Sequence, residues 1–103
     1  MRSFPPSKNR LAALEQDKAA GGAELRKMRT KSGGIVTVSL ALSPVDGGSR
    51  VTLRFKWGGG TIQRTIGTVS APSRPESLRL AWRMLRENQI VENEGWSWVA
   101  PSP

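Results

Sequence analysis

Residues 50–57 (RVTLRFKW) alternate without a break. Val51, Leu53, Phe55 and Trp57 fall on one side of an extended chain, and Arg50, Thr52, Arg54 and Lys56 fall on the other. A period of two admits one arrangement: a strand with one face against a core and one face in water. Gly58, Gly59 and Gly60 turn the chain, and a second β-type run follows over residues 61–69 (TIQRTIGTV). The hairpin therefore has an apolar underside to bury and a cationic upper side to leave exposed.

The neighbouring stretches supply what the underside needs. Residues 35–42 (IVTVSLAL) predict a strand with Val36, Val38, Leu40 and Leu42 on one face and Ile35, Thr37, Ser39 and Ala41 on the other. Residues 43–49 (SPVDGGS) consist largely of turn formers. Over residues 61–69 the alternation is imperfect: Ile62, Arg64 and Ile66 share one parity, and Thr61, Gln63 and Thr65 the other. A bulge near the glycines or at Gly67 would re-aim Arg64, and the residues alone leave that open. Short turns between three strands make an antiparallel meander the simplest topology.

A helix comes next. Ser73-Arg74-Pro75-Glu76 fits a capping box, with Ser73 as N-cap and proline in the first turn, where N–H groups lack partners anyway. Leu78, Ala81, Trp82 and Leu85 recur at helical spacing, Met84 lies beside them, and Arg79, Arg83 and Arg86 face solvent. Laying this stripe across the apolar strand faces satisfies both elements. The expected fold class is α+β: a three-stranded antiparallel meander packed on one C-terminal helix, within a domain spanning residues 35–100.

Residues 1–34 read as a mobile basic arm. Pro5 and Pro6 break structure early. Residues 9–20 predict a short helix capped by Ser7 or Asn9, with Leu11 and Leu14 on its packing side, ended by Gly21 and Gly22. So short a helix with so thin an apolar stripe is marginal by itself. Arg26, Lys27, Arg29 and Lys31 cluster before the flexible joint Ser32-Gly33-Gly34. After the main helix, Glu92-Asn93-Glu94-Gly95 reads as a turn. Trp96 and Trp98 then form either a short extra strand closing the core or an exposed aromatic patch that docks a partner or a base.

Composition narrows the function. The 103 residues include 16 Lys and Arg against 8 Asp and Glu, a net charge of +8. Residues 1–34 carry +5, residues 35–70 carry +3 and residues 71–103 carry none of it. The excess thus lies in the arm and the hairpin, which suits a polyanionic partner. Histidine, cysteine and tyrosine are all absent. The usual general base and the thiolate zinc sites are therefore missing, and a tyrosine nucleophile is impossible. We expect no catalytic residues, no metal and no cofactor. No apolar run suits a membrane span or a signal core, so the expected compartment is the cytoplasm.

The expected activity is nucleic-acid binding, with double-stranded DNA favoured over RNA. The outer sheet face would make the contacts through Arg50, Thr52, Arg54, Lys56 and Gln63, with phosphate contacts added by Arg26, Lys27, Arg29 and Lys31. The alternative is a protein-interaction module that uses Trp96 and Trp98 or an open sheet edge. A third reading, a single-strand binder, would need Phe55 or Trp57 exposed as a stacking platform. The order VTLRFKWGGG, IQRTIGT, SRPESLRLAWRML resembles the arm-type DNA-binding domain at the N-terminus of phage and transposon tyrosine integrases, over about residues 35–88. The resemblance implies an outer face lying in the major groove, with Arg50, Arg54, Lys56, Gln63 and Arg64 in contact. No catalytic domain follows in this sequence and a Trp-rich tail does, so the expectation is a free-standing binder, not a recombinase.

Overall fold

The computed structural model describes residues 7–100; Pro5, Pro6 and the closing Pro-Ser-Pro lie outside the described residues. The elements are α1 (Lys8–Ala20), a 3-10 turn (Ala23–Arg26), β1 (Lys27–Arg29), β2 (Ile35–Thr37), β3 (Ser39–Val45), β4 (Gly48–Trp57), β5 (Gly60–Val69), α2 (Arg74–Glu87), α3 (Ile90–Asn93) and β6 (Ser97–Trp98). The class is mixed α+β, as expected, but with two three-stranded antiparallel sheets and three helices in place of one sheet and one helix.

The alternating run becomes the centre of the larger sheet, ordered β3-β4-β5. Val51, Leu53 and Phe55 are buried, with Leu40 beside Leu53 on the neighbouring strand. Across their face lies α2, whose Leu78, Ala81, Trp82 and Leu85 are all buried. Ser73 caps it, its Oγ accepting the Glu76 N–H at 3.4 Å. Directly paired residues point to the same face, so the β4–β5 register settles the imperfect alternation. Arg64 sits opposite Leu53 and Gln63 opposite Arg54, while Val51 pairs with Gly67 and Thr52 with Thr65. The extra residue is therefore Ile66. The bulge lies beyond Arg64 as seen from the hairpin tip, so it does not turn Arg64 outward. At Gly67 a Cβ would stand 3.0 Å from the Met84 Sδ, so the missing side chain is what lets α2 approach this edge.

The strand foreseen at residues 35–42 is two strands. It breaks at Val38, whose N–H donates to the Arg26 carbonyl at 2.9 Å. Beyond the break β3 pairs with β4; before it β2 pairs with β1, which also pairs with β6. The smaller sheet, ordered β2-β1-β6, buries Met28 and Val36 in the same core. The short C-terminal strand exists, but it joins this second sheet and not the meander.

Within the described residues, the expected arm is part of the fold. α1 begins at Ser7, whose Oγ accepts the Arg10 N–H, and ends at Gly21, in the left-handed region at φ 98°. It docks through polar groups. Gln16 is buried, its Nε2 donating to the Leu40 carbonyl at 2.8 Å while its Oε1 accepts the Leu40 N–H at 3.0 Å. The same Oε1 accepts the Trp82 indole N–H at 3.0 Å. An edge strand exposes unpaired backbone groups, and here one side-chain amide does what a neighbouring strand would. Leu11 and Leu14, expected on the packing side, are instead 53% and 50% exposed. The reason is that α1 meets the fold on a different side, with Ala19 and Ala20 packed against the core and Gln16 bonded to backbone groups of β3.

Candidate nucleic-acid interface

The face of the large sheet away from α2 is built by alternation on three strands. Its cross-strand rows are Ser39–Arg54–Gln63, Ala41–Thr52–Thr65 and Ser43–Arg50–Thr68, with Lys56–Thr61 beyond them. No residue in these rows is acidic. Arg50, Arg54, Lys56 and Gln63 are exposed, and Thr52 is half-buried between them. None of the ion pairs among the described residues involves Arg50, Arg54 or Lys56.

At one end this face opens into a groove of about 1130 Å³. α1 lines it with Asn9, Ala12 and Ala13, and the Gly58–Gly60 turn lines it as well. Arg54, Lys56 and Trp57 line it, and no Asp or Glu does. The volume exceeds the ~300–1,000 Å³ of ordinary small-molecule pockets, and the groove is open to solvent. Its shape suits a chain passing across it better than an enclosed ligand.

Several sequence-predicted contacts do not join this site. Arg26 is 6% exposed and structural. Its Nε donates to the Val38 carbonyl, Nη1 to the Ala13 carbonyl and the Asp17 carboxylate, and Nη2 to Ser39 Oγ, at 2.6–3.3 Å. It borders the groove with four of its five N–H donors already used within the fold. Lys27, Arg29 and Lys31 belong to β1 and the turn after it, outside the groove. Lys27 is half-buried, Arg29 Nη1 donates to the Gly33 carbonyl, and the Lys31 stem lies against Gly95. Arg64 is on the α2 side, where its Nε donates to Glu94 at 2.9 Å. Arg26, Lys27, Arg29 and Lys31 are neighbours in sequence that the fold spreads apart, and Arg64, a contact implied by the resemblance, is turned to the other face by its pairing with Leu53.

Of the tail tryptophans, Trp96 belongs to the core and Trp98 is half-buried against it. Trp96 is 8% exposed and meets Phe55 edge-on at 5.1 Å between centroids. Trp98 packs on Trp82 and lies 4.3 Å beneath the Arg86 guanidinium. Arg86, expected in solvent, also donates to the Leu25 and Ala100 carbonyls, and burial lowers its pKa from the usual arginine value. Trp57 shows the reverse error: its parity predicts burial, yet it is 40% exposed. The signal for that was available, since it adjoins Gly58, where the strand leaves the core.

Among the described residues no cluster of three or more carboxylate, histidine or cysteine side chains is placed to hold a metal, and no helix is long and apolar enough to cross a membrane. Set against models of known protein families, curated proteins and solved structures, the chain matches none of them.

Proposed function

We propose that the protein is a non-enzymatic nucleic-acid-binding module that holds double-stranded DNA on the outer face of β3-β4-β5. One observation carries the reading. Arg50, Arg54 and Lys56 stand on one exposed sheet face whose cross-strand neighbours are all uncharged, and none of the three joins an ion pair among the described residues. Cations left unpaired side by side repel one another, and phosphate oxygens relieve that repulsion. Threonine and glutamine between the cations add hydrogen-bonding groups suited to base edges or phosphates. The order meander then helix is also the one implied by the resemblance to integrase arm-type domains.

A protein partner is the rival reading. Its tryptophan form has lost its support, because Trp96 and Trp98 are packed internally. Its sheet-edge form rests on β5, the outermost strand of the meander. Titration of fluorescently labelled duplex DNA, single-stranded DNA and duplex RNA at two salt concentrations separates the readings. Duplex DNA is expected to bind best, and to weaken steeply as salt rises. Absent or salt-independent binding overturns the proposal and favours the sheet edge.

A further inference from the structure

The β4 strand outruns β3. Pairing between them ends at Ser39 and Arg54, because the chain before Ser39 leaves to join β1. Phe55, Lys56 and Trp57 therefore have β5 on one side and the groove on the other. This is how residues from both faces of one strand come to line one space: Arg54 and Lys56 from the outer face, Trp57 from the inner.

Trp57 alone of the four tryptophans is exposed. It is nevertheless held in place. An ideal Cβ on Gly34 would lie 2.5 Å from its Cη2, so the indole rests directly on the backbone of the β1–β2 turn. The other three indoles are used within the fold, against Gln16, Phe55 and Arg86. A positioned, partly solvent-facing aromatic ring lining, with Arg54 and Lys56, a groove with no acidic lining has no role in packing that would require its exposure.

We propose that this groove takes an unpaired nucleotide, whose base stacks on Trp57 while Arg54 and Lys56 hold its phosphates. The ligand is then a duplex carrying a single-stranded end: the paired part crosses the outer face toward Arg50, and the unpaired end turns into the groove beside α1. From Arg50 to Trp57 the strand spans about 23 Å at ~3.3 Å per residue, which separates the two contacts. Stacking on an aromatic ring tolerates any base, so the preference is for strand state and not for sequence. This inference rests on the nucleic-acid reading above.

The test compares one blunt duplex with the same duplex bearing a four-nucleotide overhang and with that overhang made abasic. The wild-type chain is expected to bind the overhang form about tenfold more tightly than the blunt form, and the abasic overhang, which keeps its phosphates, to lose most of that gain. Trp57→Ala should remove most of the gain and leave blunt-duplex affinity unchanged, while Trp57→Phe keeps most of it. Gly34→Ala, which displaces the indole without altering it, should act like Trp57→Ala. The abasic comparison uses unaltered protein, so it decides the matter even if a variant misfolds. Equal affinity for blunt and overhang forms overturns this inference alone. Binding to neither overturns the nucleic-acid reading with it.

Discussion

At the scale of single residues, two polar side chains hold together what apolar packing does not. Gln16 satisfies the Leu40 N–H, the Leu40 carbonyl and the Trp82 indole at once. Replacing it with leucine keeps the size and strands three buried groups, each worth ~1–3 kcal/mol when unsatisfied, though relaxation and water will recover part. Gln16→Leu is therefore expected to lower stability by about 2–4 kcal/mol in denaturant unfolding. A loss below the error of that measurement would mean that Gln16 does not bridge the strand and helix. Arg26 is comparable, since it ties β3 to α1 and to Asp17 within a largely buried site. Arg26→Ala should cost about 3 kcal/mol by leaving Asp17 and two carbonyls without their donor. If the purified variant melts with the wild type and loses only DNA affinity, Arg26 belongs to the interface after all.

At the scale of elements, what could be read in advance follows from how local the cause is. The β4 alternation and the α2 stripe are each written within one segment, and the Ser73 capping box marks where α2 starts, so these were legible. The role of α1 was not. Its attachment rests largely on polar contacts distant in sequence, those of Gln16 with Leu40, Arg26 with Asp17 and Arg74 with Glu15, and hydrophobic periodicity carries no trace of such bonds. β1 was missed for a related reason: three residues between two partners are too few to display a period. The strand switch at Val38 was hidden because Val36, Val38 and Leu40 keep one parity through it and all end up buried. That misreading of α1 gives its own check. Leu11→Gln with Leu14→Gln should change stability by no more than about 0.5 kcal/mol per site, as at ordinary surface positions. A loss of several kcal/mol in the same unfolding assay would show that the leucines face a packed surface.

For the molecule as a whole, the charge excess is less concentrated than the sequence suggests. The cluster at residues 26–31 disperses: one cation is buried, and the others are distributed around the smaller sheet. Arg64 turns to Glu94 and Arg74 to Glu15, whose hydrogen bond raises the Arg74 pKa above the ordinary arginine value. What remains on the outer face is Arg50, Arg54 and Lys56, so that binding should depend on few residues. Each phosphate contact releases counterions, giving a slope of about −0.9 per contact in log affinity against log salt concentration. The most direct measurement is that slope for wild-type protein and for Arg54→Ala/Lys56→Ala, with thermal unfolding of both. The account predicts at least a tenfold loss of duplex affinity, a slope shallower by about 1.8, and unchanged melting, since both side chains are exposed and outside any ion pair among the described residues. A folded double variant that binds duplex DNA with wild-type affinity and wild-type slope would contradict it.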